Sequence, residues 1–276
     1  MSHSYHFARA LRLSRMFRHH PRRIVVVPLD HPVSTGVPAT FHWSPDPLLA
    51  DLAAAGVDAV VLHKGLLRHI AVGPFQNMSL IVHLSASTAW GPDPDAKCLI
   101  ASVEEAVTLG ADAVSMHVNL GCADERRQLE DLGRVCSECD RWNLPLLAMV
   151  YPRGPRIRNP RDPELVLHAA MLAVNLGADL VKTEYPGSLT AMADVAAACP
   201  IPLLVAGGPK LADEEEVLEF VGAAIDGGAG GVALGRNVFE SNDPRAMAAR
   251  IANRVHACDD AMDPVTLVRH RLTVGP

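Results

Sequence analysis

The feature that most narrows the fold is an alternation. Eight short runs of aliphatic and β-branched residues are separated, for the most part, by longer stretches whose apolar residues recur at threes and fours. The runs cover 24–29, 59–63, 80–84, 113–118, 146–150, 180–182, 203–206 and 231–234, and helical periodicity marks 47–55, 103–109, 124–141, 163–176, 189–198, 214–224 and 244–256. Strands apolar on both faces with helices between them predict parallel pairing through right-handed crossovers. A doubly wound open sheet fits the same pattern. Eight even units without a dominant opening glycine fingerprint favour closure into a single (β/α)8 TIM barrel. The thinnest unit lies between the second and third strands, where 66–70 offers only a short helix.

Three helix-to-strand corners share a signature, Gly56-Val57-Asp58, Gly110-Ala111-Asp112 and Gly177-Ala178-Asp179. Glycine tolerates the left-handed conformation that ends a helix there. With 276 residues, 49% of them hydrophobic, the chain can bury one sizeable core. No linker breaks it, so the predicted organisation is an extension over 1–23, a barrel over 24–258 and a tail over 259–276.

The extension carries Arg9, Arg12, Arg15, Arg18, Arg22 and Arg23 with no acidic residue. An organelle transit peptide would look like this. The alternative, adopted here, is a lead-in helix that packs Leu11, Leu13, Met16 and Phe17 under the barrel. A formal charge of −6 offers no broad basic field to nucleic acid or anionic lipid. No apolar run approaches the ~18 residues of a membrane span. A secretory apolar segment is also missing, so the cytoplasm is the expected compartment. The six cysteines include one CxxC, Cys136 and Cys139, without the second pair a zinc site needs, and free thiols are expected.

Barrel enzymes build their sites at the C-terminal strand ends. Those ends carry Asp30 and His31, His63 and Lys64, Ser85 and Ser87, His117 and Asn119, Tyr151 and Arg153, Lys182 and Glu184, then Gly207-Gly208 and Gly235-Arg236. Only four of the 25 basic side chains are lysines: 64, 97, 182 and 210. Arginine serves equally well as a surface charge but cannot readily lose its proton, so a lysine at the end of a buried strand suggests an amine nucleophile. A structural lysine paired with Asp30 or Glu184 is the competing reading. Tyr151 could exchange a proton with substrate or simply pack, and Asp30 needs a partner at its depth. The glycines after the last two strands suit a phosphate held on backbone N–H groups with Arg236, or any tight turn. Arg153, Arg68 and Lys64 could each hold a substrate carboxylate. His31, His63, His83 and His117 lie near four successive strand ends and could suggest zinc, but no HxH or HExxH spacing occurs. Our reading is a site without metal or other cofactor.

The strings Val27-Pro28-Leu29-Asp30-His31, His63-Lys64-Gly65, Val150-Tyr151-Pro152-Arg153-Gly154, Val181-Lys182-Thr183 and Gly235-Arg236-Asn237 occur in order. As a set they resemble the archaeal-type class I fructose-bisphosphate aldolases, and within them the branch that uses aspartate semialdehyde. The likeness runs from about Leu11 to Arg254. It implies Lys182 as the Schiff-base residue, Tyr151 as acid/base and Asp30 as a second proton-transfer group. It also implies phosphate binding around Gly207, Gly208, Gly235 and Arg236. His31, Lys64 and Arg153, at their strand ends, are read as further candidate substrate contacts. The expected partners are a phosphorylated ketone, dihydroxyacetone phosphate, and an aldehyde, joined into a seven-carbon amino-keto phosphate. Transfer between ketose phosphates, fructose-bisphosphate cleavage and a non-catalytic phospho-sugar sensor are the alternatives. The resemblance further implies a homo-oligomer of stacked rings, a decamer among its forms. Two departures stand out: Pro32, where the family has glycine after Asp-His, and Glu184 followed by Tyr185-Pro186-Gly187.

Overall fold

The computed structural model describes residues 7–34, 36 and 44–257. Cys258 and the expected tail lie outside the described residues. Eight strands form the barrel: β1 (Ile24–Pro28), β2 (Ala59–Leu62), β3 (Ser79–His83), β4 (Ala113–Leu120), β5 (Leu146–Pro152), β6 (Leu180–Thr183), β7 (Leu203–Ala206) and β8 (Gly231–Ala233). All pair in parallel in chain order, and β8 closes on β1 with Ile24 opposite Gly231 and Val26 opposite Ala233. Glycine at 231 makes the seam possible, because a Cβ there would sit 2.0 Å from the Ile24 carbonyl oxygen.

The helices are α1 (Phe7–Met16), α2 (Asp46–Ala54), α3 (Val103–Thr108), α4 (Glu125–Trp142), α5 (Pro163–Leu176), α6 (Leu189–Ala198), α7 (Glu214–Asp226) and α8 (Pro244–His256). Ser102, Asp162, Ser188, Asp213 and Asp243 each cap a helix start by accepting a backbone N–H. Between β2 and β3 the chain makes two 3-10 turns, Leu66–His69 and Gly73–Gln76, because Gly73-Pro74 cannot continue a helix. After β3 the chain also forms a short antiparallel ribbon, Ser85–Ala86 against Cys98–Leu99, which the periodic pattern does not reveal. Two residues per strand are too few for a periodic signal.

Two apolar layers hold this together. One lies between strands and helices, and the other fills the barrel with Ile24, Val26, Ala59, Val61, Ile81, Ala113, Leu147, Met149, Leu180, Leu204 and Ala233. α1 closes the floor: Met16 is fully buried in the inner layer, with Leu13 and Phe17 against it. Leu11, expected to join them, is 40% exposed. It lies two residues from Leu13, which turns it to the other side of the helix.

The basic extension finds its partners in the repeated corners. Arg9 reaches Asp179 Oδ1 at 3.2 Å, Arg15 reaches Asp112 Oδ1 at 3.6 Å and His19 Nδ1 lies 2.7 Å from Asp58 Oδ1. Each aspartate also accepts the backbone N–H of a residue on the preceding strand, Leu146, Leu80 and Val25 respectively. His256, at the end of α8, adds a second imidazole to Asp58 at 2.9 Å. Cys98, Cys122, Cys136, Cys139 and Cys199 are free thiols, and burial pushes Cys136 up to about 12.

Candidate active site

Side chains alternate along a strand, so the inward rows that fill the barrel continue upward with period two. Ile24 and Val26 lead to Pro28 and Asp30, and Ala59 and Val61 lead to His63. Ile81 leads to His83 and Ser85, Ala113 leads to His117, Leu147 and Met149 lead to Tyr151 and Arg153, and Leu180 leads to Lys182 and Glu184. All these upper residues line one cavity of about 310 Å³ at the open end, together with Ser87, Asp95, Lys97, Gly207, Gly208, Gly235 and Arg236.

Lys182 is 8% exposed at the top of β6, opposite Met149 of β5 and Leu204 of β7. Its Nζ stands 5.9 Å from the centre of the Tyr151 ring, which is itself buried. Burial raises the phenol, while neighbouring Lys182 pulls it the other way, and the net direction is upward. Burial also works against ionisation of Asp30. The facing His83, His31, Lys182 and His63 outweigh it and hold the carboxyl well below the usual carboxylate range. The histidines move in the opposite sense. Burial pushes His83 down to about 4 against the pull of Asp30, and lowers His31, His63 and His117 as well. Near neutral pH the cavity therefore presents an ionised carboxylate, a protonated phenol and neutral imidazoles around a primary amine.

The imidazoles are held rather than converging. His83 Nδ1 lies 2.8 Å from Ser115 Oγ, and His117 Nε2 lies 2.8 Å from Asn119 Oδ1. His31 sits 3.8 Å from Asp30 and packs edge-on to Phe239. Among the described residues, the one group of three possible metal donors within 4.8 Å of one another is His19, Asp58 and His256 at the floor, away from these four.

Opposite the ribbon, the loops after β7 and β8 form a cradle. Arg236 starts a single helical turn, Arg236–Phe239, and its guanidinium donates to the Gly208 carbonyl at 3.0 Å. Asn237, buried beneath, donates to the Gly207 and Pro209 carbonyls and accepts the Leu211 N–H, which fixes the two loops together. Gly207 contributes room, since a Cβ would stand 2.3 Å from Leu234 Cδ2. Its own N–H is spent on the Ala233 carbonyl. Gly208 takes a positive φ of 64°. Pro32 falls in the first turn of a short helix, His31–Ser34, where a missing N–H costs nothing.

Lys64 and Arg68 are not brought into the cavity. Lys64 points outward and pairs with Glu105 at 2.8 Å, and Arg68 is exposed on its 3-10 turn. One step along a strand end reverses the side-chain direction, so position 64 has the wrong parity. Conversely, Lys97 reaches the cavity from the ribbon, which no strand-end rule could reveal. Its place among only four lysines was the available signal.

A buried lysine amine at the open end of a (β/α)8 barrel, in one cavity with a phenol and a carboxylate, is an arrangement suited to class I aldolase chemistry. Over residues 24–241 the chain matches the DeoC/LacD family aldolase profile, and it belongs to that family. It is 56% identical over 250 residues to the 2-amino-4,5-dihydroxy-6-oxo-7-(phosphonooxy)heptanoate synthase of Streptomyces griseus, covering 91% of both chains. It is 42% identical to 2-amino-3,7-dideoxy-D-threo-hept-6-ulosonate synthase 1 of Archaeoglobus fulgidus, again covering 91% of each. Among solved structures it is similar to an archaeal fructose-1,6-bisphosphate aldolase whose catalytic lysine is covalently bound to the carbinolamine intermediate of the substrate. There the TM-score is 0.82 and identity 30%, covering 90% of this chain and 99% of that one.

Proposed function

We propose that this enzyme condenses dihydroxyacetone phosphate with L-aspartate 4-semialdehyde to give 2-amino-4,5-dihydroxy-6-oxo-7-(phosphonooxy)heptanoate, using Lys182 as the nucleophile. The observation that carries the proposal is the buried Lys182 amine beside the Tyr151 ring in a cavity shared with Asp30 and a glycine cradle. The product named for the 56% identical relative supplies the choice of substrates.

The donor phosphate sits on Gly208, Gly235 and Arg236, which sets the ketone carbon over β6. Asp30 passes a proton from the attacking amine to the ketone oxygen to give the carbinolamine, and a second proton taken up from solvent lets that oxygen leave as water, so that an iminium remains. The iminium draws electrons from the hydroxymethyl carbon, whose proton departs to give an enamine. That carbon then bonds to the aldehyde carbon. The proton lost at one centre balances the proton gained by the new alkoxide, so one shuttle, Tyr151, serves both. Water then adds to the new iminium and frees the lysine. Cleavage or transfer of the three-carbon unit would employ the same groups.

Borohydride added with dihydroxyacetone phosphate should inactivate the enzyme irreversibly and leave the reduced adduct on Lys182. In a separate reaction without borohydride, mass spectrometry after both substrates are supplied should find the seven-carbon product. An unmodified Lys182 with undiminished activity would sink the proposal, and so would a Lys182→Ala enzyme that keeps full turnover. The proposal extends to a homo-oligomer working in the cytoplasm, for which Trp90 and Val72, 93% and 82% exposed, offer apolar contact surface. No described helix is long and apolar enough to cross a membrane.

A further inference from the structure

A donor anchored on the β7 and β8 loops and bonded at β6 points its reacting carbon toward the side of the mouth built by β3, β4, β5 and the ribbon. The acceptor must arrive there. Two cations wait on that side, and neither has a role in the chemistry above. Lys97 projects from the ribbon, where its Nζ donates to Ser87 Oγ at 2.5 Å. Arg153 follows β5, its guanidinium 5.1 Å above the centre of the Tyr151 ring.

The placement of Lys97 is engineered by buried groups. Asn119 and Gln128, 0% and 1% exposed, both donate to the Asp95 carbonyl, at 2.9 and 2.8 Å. Gln128 also accepts the Asn119 N–H, and Arg127 donates to the Lys97 carbonyl at 2.9 Å. Burying two amides to fix one loop costs solvation that a merely solvated lysine would not require. Burial first, and then the nearby Arg153, push the Lys97 ammonium below the ordinary lysine range, against the opposing pull of Asp95, Asp30 and Asp93. Arg153 has one carboxylate at hand, Glu184 at 3.5 Å, which is a loose pair on a half-exposed side chain.

We infer that Lys97 and Arg153 form a second anion site that grips the carboxylate of the acceptor aldehyde, while Glu184 receives its ammonium. The inference rests on the proposed condensation and adds to it the groups that select an amino-acid aldehyde over an uncharged one. The bound carboxylate sits between the two cations, and the Ser87 hydroxyl orients the ammonium of Lys97.

The test is Lys97→Met in the full chain. Borohydride trapping with dihydroxyacetone phosphate alone reports the donor half-reaction, and its half-saturation should stay within about twofold. The KM for L-aspartate 4-semialdehyde should rise by roughly 10- to 100-fold, the size expected for a lost charged hydrogen bond. The preference over uncharged butyraldehyde should fall by the same factor, and Lys97→Arg should restore part of it. An unchanged KM overturns the assignment, as does loss of donor trapping together with acceptor binding. A wild-type enzyme that traps the donor but shows no preference for the carboxylated aldehyde refutes the proposed substrate itself, an outcome visible before any variant is made.

Discussion

The mouth and the floor of this barrel draw on the same chemical stock and use it in opposite ways. At the floor, Asp58, Asp112 and Asp179 each meet a basic side chain from the extension, at 2.7, 3.6 and 3.2 Å, and each accepts a backbone N–H from the preceding strand. At the mouth, Asp30 has four basic neighbours that pull on it, but its nearest imidazole contacts are 3.8 and 3.9 Å long. Asp30 there faces its imidazole neighbours across longer gaps. A closed pair stabilises the fold, whereas an open one remains available to substrate.

That contrast can be broken by experiment. Under the proposed mechanism Asp30→Asn removes the proton acceptor without changing side-chain size, and turnover should drop by roughly 100- to 10,000-fold. Thermal stability should barely change. A variant that melts early while retaining activity per folded molecule would move Asp30 to the structural side of the comparison.

Asp58→Ala should do the reverse. It strands the Val25 N–H and leaves His19 and His256 without their acceptor, at a cost of about 3 kcal/mol. For a chain of this size that corresponds to a Tm lower by roughly 6–10 °C, with kcat unchanged. The sign with pH follows from the group. Burial would raise the Asp58 carboxyl, but hydrogen bonds from His19, His256 and Val25 outweigh it, and the folded-state pKa lies below the ordinary value. Its contribution is therefore complete above about pH 4 and is lost as pH falls through the lower folded value. Stability of the variant measured from pH 5 downward should fall less steeply than that of the parent.

The smallest effect belongs to Lys64→Ala, on the rim between the two regions. Its exposed pair with Glu105 should be worth less than about one degree of Tm. KM values should stay within about twofold. A tenfold loss of affinity for either substrate would show that the site extends past the inward-facing rows.

Periodicity alone revealed the barrel, because eight buried strands and their amphipathic partners repeat on a scale that a sequence displays. Lys182, Tyr151 and Asp30 were legible as polar residues at the ends of buried strands, and the roles expected of them came from the family resemblance. Lys64 would have been set aside had parity been applied, since His63 beside it has the inward position. Lys97, Asn119, Gln128 and Asn237 act through loop carbonyls contacted from distant parts of the chain, and no local spacing encodes that. The extension's arginines were visible as a charge run, but the corner aspartates they meet are ordered only once the barrel closes.

Leu13, Met16 and Phe17 plug the barrel beneath the inner layer, and the cavity that Lys182 lines opens at the opposite end. Under the proposed mechanism, the incoming aldehyde and the water that frees the product share that mouth. A seated aldehyde would then hold water away from the enamine carbon while the new bond forms.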